Sequence, residues 1–140
     1  MPDCVHVILS GQPIGKGRPR FTRQGRTYTP AKTKEYEQKL KAAAIEAMKD
    51  QDREPTELPC RVQILAQFEI PKSWPKYKKN AALLNEGNYK PGKPDIDNIA
   101  KAALDAMNGI VFKDDALVSK LEVEKRYGQP LLIATVFFDE

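Results

Sequence analysis

Several features are scarce or missing in this sequence, and their scarcity argues against common classes of protein. It contains one histidine and two cysteines among 140 residues, and the spacing of Cys4 and Cys60 matches no metal-ligand or redox motif. No apolar run approaches the roughly 18 residues that a membrane-spanning helix requires. Residues 1–3 lack the basic and apolar pattern of a secretory signal. We therefore expect a cytoplasmic protein with reduced thiols and no membrane partner.

Acidic residues are also missing from the stretch between Cys4 and Lys34, which holds much of the positive charge. The whole chain has a net charge of +4. Arginine binds phosphate oxygens in a bidentate manner, and aromatic rings such as Phe21 and Tyr28 can stack on bases. A charge run is also the usual form of a solvated surface, so nucleic-acid binding and a plain surface both stay open for this stretch.

A second basic segment extends from Lys72 to Lys93 and includes Trp74, Tyr77 and Tyr89. We expect a mobile basic loop here, with a short helix near residues 81–84. The DNA-binding candidates in the two segments are Lys16, Arg18, Arg20, Arg23, Arg26, Lys72, Lys76, Lys78, Lys79 and Lys93.

Hydrophobic periodicity predicts a single α/β domain over residues 1–140, with the order β-α-β-α-β-β and with helices packed on a mixed or antiparallel sheet. Thr29 and Pro30 suit the start of the first helix. We expect the last two strands to form a hairpin. The predicted strands cover residues 4–10, 61–70, 117–127 and 131–138, and the predicted helices cover residues 29–50 and 98–108. The predicted buried stripe of the first helix is Tyr36, Leu40, Ala43 and Ala47.

One acidic stretch stands out in this basic chain. Asp95 and Asp97 lie one residue apart, just before a short alanine-rich helix, and Lys101 follows one helical turn later. At about 100° per residue, Asp97, Lys101 and Asp105 lie along one edge of the helix, opposite an alanine-rich packing face. The helix is therefore predicted to have one chemical edge and one buried face.

A second acidic pair, Asp114 and Asp115, follows the helix and reaches the same point if the third strand returns beside the helix start, as we assume. Carboxylates crowded in a dehydrated site repel one another, and a hard cation such as Mg²⁺ or Mn²⁺ removes that repulsion. Such a cation polarises a phosphoryl oxygen and activates water. Lys101 can stabilise the charge that develops on the phosphate. The predicted metal ligands are Asp95, Asp97, Asp114 and Asp115.

Simpler interpretations of the same acids stay open. Asp97 could cap the helix, and Asp95 could interact with the positive end of the helix dipole. Asp114 and Asp115 could form an ordinary turn before a strand. These alternatives need no metal, and the spacing of the acids does not decide between the two interpretations.

Two better-defined motifs are excluded. A calcium-binding EF-hand loop starting at Asp95 would require glycine in place of Ala100 and glutamate in place of Ala106. The stretch 15–17 lacks the spacing and the hydroxyl residue of a phosphate-binding P-loop, so no nucleotide cofactor is expected. His6 lies on a predicted strand, where a structural role is favoured over catalysis.

The chain resembles the RusA family of Holliday junction resolvases, which are crossover junction endodeoxyribonucleases. The residues that carry the resemblance are those at 16–21, 28–30 and 93–98, then Lys101, Asp105, Asn108, Gly109, Asp114 and Asp115, and finally those at 125–128. The similarity extends over nearly the whole chain and is weakest at residues 48–59 and 72–89.

The resemblance implies a homodimer that binds four-way DNA junctions and cuts opposed strands with Mg²⁺, or with Mn²⁺ in its place, during DNA recombination and repair. It implies that Asp95, Asp97 and Asp115 are essential and that Lys101 is an important catalytic residue, with Asp114 either a metal ligand or a turn residue. Two other hypotheses stay open: a DNA-binding module without catalysis, and a metal-dependent nuclease that cuts flaps or single strands.

Overall fold

The computed structural model describes residues 3–16, 20–21, 23–25, 27–28, 31–84 and 89–138, and of residues 20, 21, 27 and 28 it describes only the backbone. The predicted helix start at Thr29 and Pro30 lies outside these residues, as do Arg18 and Arg26. In chain order the elements are β1 (Cys4–Ser10), β2 (Arg20–Phe21), β3 (Thr27–Tyr28), α1 (Ala31–Asp50), β4 (Cys60–Phe68), α2 (Lys76–Leu84), α3 (Ile96–Met107), a single 3-10 turn (Asp115–Leu117), β5 (Val118–Tyr127) and β6 (Leu131–Phe138).

A mixed four-stranded sheet in the order β1-β6-β4-β5 forms the centre of the fold. β6 pairs antiparallel with both β1 and β4, whereas β4 and β5 are parallel. β2 and β3 form a separate two-stranded ribbon. The predicted α/β class and the predicted mixed sheet are confirmed. Within the described residues, no helix is both long enough and apolar enough to cross a membrane.

The predicted hairpin between the last two strands is wrong, because β4 lies between β5 and β6. β4 and β5 are joined through α3, and a helical crossover connects parallel neighbours. β6 must then pair with the other edge of β4, where it runs antiparallel. The short connection crosses the end of β4, and the backbone N–H of Gly128 donates to the carbonyl of Phe68 at 3.0 Å. β5 is thus an edge strand, which suits its exposed charged side chains.

The central strand β4 alternates strictly between buried and more exposed side chains, as a strand with one face on the core should. α1 packs against both β1 and α3. Its buried stripe contains the predicted Tyr36 and Leu40 but continues through Ala44 and Met48, while Ala43 and Ala47 are only half-buried. The second half of the stripe is therefore rotated by one residue from the prediction.

α3 begins two residues earlier than predicted, and its predicted packing face is confirmed. Ile99, Ala102, Ala103 and Ala106 are buried. Ala100 and Met107 widen this face. The small alanine side chains allow the helix to approach the sheet closely, and the opposite edge of the helix stays accessible.

The basic segment that was predicted to be a loop contains a longer helix than expected. α2 covers Lys76–Leu84, where only residues 81–84 were expected to be helical. Before it, the Trp74 ring contacts the Tyr127 ring edge-on, with 5.6 Å between centroids. Tyr89 forms a bridge to Arg126 at the end of β5. The described parts of the segment are therefore attached to the end of β5; its mobility stays a prediction.

The connection after β1 packs tightly against the start of α3. The backbone N–H of Lys16 donates to the carbonyl of Asn98 at 2.8 Å. A Cβ atom placed on Gly15 would lie 2.8 Å from the Cβ of Pro94 and 3.1 Å from the Cβ of Asn98. No side chain fits between these two backbones without displacement, so only glycine permits this approach.

We expect Gly15→Ala to lower the free energy of unfolding by about 1–3 kcal/mol, because the added methyl group overpacks the contact with Pro94 and Asn98. Thermal or denaturant unfolding measures this change. Gly128→Ala is the matched control, since its added Cβ would meet only the flexible end of Gln67 at 3.3 Å. Equal stability losses in the two variants would contradict the proposed close contact at Gly15.

Candidate active site

The start of α3 holds the first acidic pair. Asp95 occupies the N-cap position in an extended backbone conformation, but its side chain makes no capping hydrogen bond. One of its carboxylate oxygens instead lies 2.9 Å from the Lys93 ammonium. Asp97 lies exposed in the first helical turn, where the positive end of the helix dipole favours a carboxylate. The capping interpretation therefore explains neither side chain fully.

Two lysines contact Asp105, further along the same helix edge. Lys101 Nζ lies 3.5 Å from one carboxylate oxygen of Asp105, and Lys16 Nζ lies 3.1 Å from the other. Lys16 Nζ also lies 2.7 Å from Glu37 Oε1 on α1. Burial alone would lower the pKa of Lys16, but the two carboxylates outweigh this effect and the pKa is raised. Lys16, a DNA-binding candidate, thus has its ammonium in an ion-pair bridge between α1 and α3.

The second acidic pair lies near this part of α3. Asp114 caps the 3-10 turn by accepting a hydrogen bond from the Ala116 N–H at 3.3 Å. The pKa of Asp115 is raised by a hydrogen bond with Asp114, by burial, and by the negative charges of Asp114 and Asp105, while Lys101 opposes these effects. Asp115 therefore lies within electrostatic range of both Asp105 and Lys101.

The carboxylates are spread along the edge of α3. Asp97 and Asp105 are eight residues apart, which corresponds to about 12 Å along the helix axis. Asp115 interacts electrostatically with Asp105 and Lys101, so the return of the chain brings it near the part of α3 between these two residues. Within the described ranges, no group of three or more histidine, cysteine, aspartate or glutamate side chains is arranged to hold a metal ion.

The available donors suit a hard cation in chemical type. Carboxylate oxygens line the helix edge, and oxygen is the ligand atom that Mg²⁺ and Mn²⁺ prefer. The raised pKa of Asp115 shows that its negative charge is unfavourable beside Asp114 and Asp105. A cation at this position would relieve that repulsion, so the residues present fit a divalent metal in type and charge.

Two further lysines hold the loop before Asp95, and neither was predicted as a site residue. Lys125 Nζ donates to the carbonyls of Gly92 and Pro94. Lys90 Nζ donates to the carbonyls of Pro91 at 3.1 Å and Lys93 at 2.7 Å. The strand pattern contained a signal for Lys125, since it shares a side of β5 with Val123 and Tyr127 rather than with the exposed charges. A lysine on the inward side of a strand needs a polar partner.

The remaining DNA-binding candidates are mostly accessible. Lys72, Lys76 and Lys78 are exposed and Lys79 is half-buried. Lys78 Nζ lies 4.1 Å from the centroid of the Trp74 ring. The other candidates with described side chains, Arg23 and Lys93, are exposed. Arg18 and Arg26 lie outside the described residues, and the side chain of Arg20 is not described.

These features define a small α/β domain with carboxylates and lysines along one edge of a helix. The family model described as Endodeoxyribonuclease RusA matches residues 10–135. The chain therefore belongs to the RusA family, as its sequence motifs predicted. Membership of this family implies an endonuclease that resolves Holliday junctions. The chain is also similar to the uncharacterised protein YqaN of Bacillus subtilis strain 168, with 33% identity over 133 residues that cover 91% of this chain and 90% of the relative.

The pKa of Asp115 predicts a measurable effect of pH on stability. The folded chain holds this proton more tightly than the unfolded chain, so ionisation of Asp115 destabilises the fold as the pH rises above its ordinary value of 3.8. We expect Asp115→Asn to raise the free energy of unfolding at neutral pH by a few tenths of a kcal/mol, because the site is exposed and solvent screens the repulsion. The gain should fade as the pH is lowered toward 3.8.

Denaturant unfolding at several pH values tests this prediction. Glu46→Gln, which changes an exposed carboxylate on α1, is the control and should show no such pH-dependent gain. A loss of stability in Asp115→Asn at neutral pH would mean that the carboxylate stabilises the fold, contrary to the repulsion inferred here.

Proposed function

We propose that this protein is a metal-dependent endodeoxyribonuclease that resolves four-way DNA junctions in recombination and repair. The observation that carries the proposal is the mixed edge of α3, where Lys101 lies between the acidic helix start and the crowded carboxylates of Asp105 and Asp115. A site for phosphodiester hydrolysis needs negative ligands for a cation and a positive group for the phosphate, and this edge offers both.

Within this proposal, three aspartates hold the metal ion and a fourth shapes the turn that carries one of them. Asp95, Asp97 and Asp115 would hold Mg²⁺, for which Mn²⁺ can substitute, and such an ion supplies polarisation of the phosphate and activation of water when bound. Asp114 orients the turn that carries Asp115, because it caps the 3-10 helix, and it is the further candidate ligand. The electrostatic interaction of Asp115 with Asp105 and Lys101 supports a role for its carboxylate on the same helix edge as Lys101.

Lys101 is suited to contact the scissile phosphate. Its side chain is largely exposed, and its ammonium has a weak contact of 3.5 Å with Asp105. Asp105 also binds Lys16, which ties it to α1 through Glu37. A carboxylate held in this way keeps the Lys101 ammonium on the helix edge without neutralising it fully. Lys101 can then stabilise the charge that develops on the phosphate oxygens.

The basic segments are suited to hold DNA beside this edge. Lys72, Lys76 and Lys78 are exposed around the start of α2, and Trp74 attaches that region to the end of β5 through Tyr127. Lysine and arginine contacts to phosphates supply most of the binding free energy for DNA of any sequence. Two opposed cuts across a junction require two active sites, and a homodimer would provide them.

Asp95→Asn should reduce cleavage of a synthetic four-way junction in Mg²⁺ by about 100- to 1,000-fold, the order found when one group that stabilises transition-state charge is removed. Junction binding should persist, and it should tighten without metal because a repulsive charge near the phosphates is lost. Gel assays of cleavage and binding measure both effects. Full cleavage by this variant would remove Asp95 from the catalytic site.

The same cleavage assay separates three functions. Cleavage of the junction but not of a linear duplex supports junction resolution. Equal cleavage of flaps or single strands supports a nuclease with a different specificity. Binding without cleavage, with either metal present, supports a DNA-binding module in which the acids act only as structural residues.

Neutralising Lys72 and Lys76 together by substitution with glutamine should weaken junction binding and flatten its dependence on salt concentration. Each lost phosphate contact reduces the slope of log K against log salt by about 1. Lys41→Gln is the control, because Lys41 is an exposed lysine of α1 outside both basic segments. The same slope in the double variant and in the wild type would exclude these lysines from the DNA interface. Arg18 and Arg20, which the sequence assigns to the first basic segment, can be tested in the same way.

A further inference from the structure

The loop that leads into Asp95 has an unusual arrangement of backbone carbonyls. From Pro91 to Pro94, successive carbonyls are bound alternately by two ammonium groups. Lys90 takes those of Pro91 and Lys93, and Lys125 takes those of Gly92 and Pro94. Every carbonyl of the loop thus has a charged donor. Hydrogen bonds from charged donors are roughly twice as strong as those between neutral groups.

This arrangement requires two positive charges to lie near each other. Burial lowers the pKa of Lys90, and the charge of Lys125 lowers it further. The Lys90 ammonium also lies 4.8 Å from the centroid of the Phe68 ring, whose face attracts cations. The carbonyl oxygens offset the repulsion between the lysines. The two ammonium groups can therefore stay close together while the loop keeps the conformation that supplies these carbonyls.

The backbone ties both lysines to the same place. The N–H of Lys90 donates to the carbonyl of Lys125 at 2.9 Å, so the loop is anchored directly to the last residues of β5. On its other side, Pro94 packs against the backbone of Gly15. The loop is thus held between the end of β5 and the connection that follows β1, and α3 starts from a fixed point.

We propose that Lys125, assisted by Lys90, is a positioning residue that fixes the Asp95 backbone, and with it the acidic start of α3, for catalysis. Lys125 binds the carbonyl of Pro94, the residue immediately before Asp95. The proposal rests on the proposed nuclease function for its catalytic part. Its structural part, the fixing of the loop, can be tested without DNA or metal.

A direct DNA contact is the other role that a lysine in a nuclease suggests, and the geometry disfavours it for Lys125. Its side chain is half-buried, and its ammonium is already bound to two carbonyls. Loss of a residue that holds a catalytic group in place reduces the rate or the metal affinity, whereas loss of a phosphate contact reduces DNA affinity. The two roles therefore predict different measurements.

The experiment compares Lys125→Met with Lys120→Met, which removes an exposed lysine of the same strand whose contact is with Glu122. We expect Lys125→Met to lower the single-turnover rate of junction cleavage by about 10- to 100-fold and to raise the Mn²⁺ concentration for half-maximal rate. The dissociation constant for the junction and its salt dependence should change less than about twofold. Lys125→Arg, which keeps the charge and several donors, should recover part of the rate.

Hydrogen exchange of the free protein tests the structural part. The amides of Asn98 and Ile99 donate to the Asp95 carbonyl at 3.1 and 3.2 Å, so their exchange reports whether the helix start is held. It should become several-fold faster in Lys125→Met and stay unchanged in Lys120→Met. If Lys125→Met does not fold, the same comparison is made with Lys125→Arg, for which a smaller acceleration is expected.

The outcomes are distinguishable. Faster exchange with slower cleavage supports the proposal. If the wild-type protein cleaves no junction but amide exchange is still faster in Lys125→Met, the fixing of the loop is supported and the nuclease function is overturned. Unchanged exchange overturns the proposal whatever the cleavage rate. Weaker junction binding with an unchanged rate at saturation also overturns it and assigns Lys125 to the DNA interface.

Discussion

The parallel pairing of β4 with β5 is the constraint on which the candidate site depends. Because α3 connects these strands, the chain must return along the helix before it enters β5. The turn that leads into β5 therefore lies beside α3 near Lys101 and Asp105, with which Asp115 interacts electrostatically. The end of β5 lies beside the start of α3, where Lys125 binds the loop. One pairing thus places both the second acidic pair and the lysines that hold the first.

The same pairing explains what the sequence could and could not predict. Local patterns were sufficient for the alanine face of α3 and for the edge with Asp97 and Lys101, since both follow from helical periodicity. Periodicity carries no information about which strand lies between two others. The hairpin of β5 and β6 was therefore predicted from their closeness in sequence, whereas the crossover through α3 decided the actual order.

The position of the second acidic pair depended on that order as well. The sequence alone allowed Asp115 to meet Asp95 and Asp97, because the return of the chain was an assumption. The structure places Asp115 within electrostatic range of Asp105 and Lys101, and its joint binding of a metal with Asp95 and Asp97 stays a prediction. The roles of Lys16 and Lys125 were missed for a related reason. Each lysine contacts groups that are distant in sequence, and a count of charges does not distinguish an internal ion pair from a surface that binds DNA.

This distinction changes how the positive charge of the chain relates to DNA. Lys16, Lys90 and Lys125 have their ammonium groups bound to carboxylates or carbonyls of the protein itself. Their charge still contributes to the potential around the helix edge, but contact with phosphate would require breaking those bonds. Among the described residues, Lys72 and Lys76 are exposed near the start of α2 and show no such bond. The excess of positive charge therefore divides into a part that fixes the acidic edge and a part that is available to the phosphate backbone.

The two parts serve opposite electrostatic needs. Without a cation, the carboxylates of the acidic edge repel one another and also repel DNA. The raised pKa of Asp115 reflects the repulsion among the carboxylates. Holding such an edge in place requires contacts that do not neutralise the carboxylates. Lys90 and Lys125 meet this requirement, because they fix the loop by binding backbone carbonyls rather than carboxylates. In the proposed nuclease, the use of carbonyls as the partners of Lys90 and Lys125 would keep these two lysines from neutralising the acidic edge, where Asp95 and Asp105 already have lysine partners.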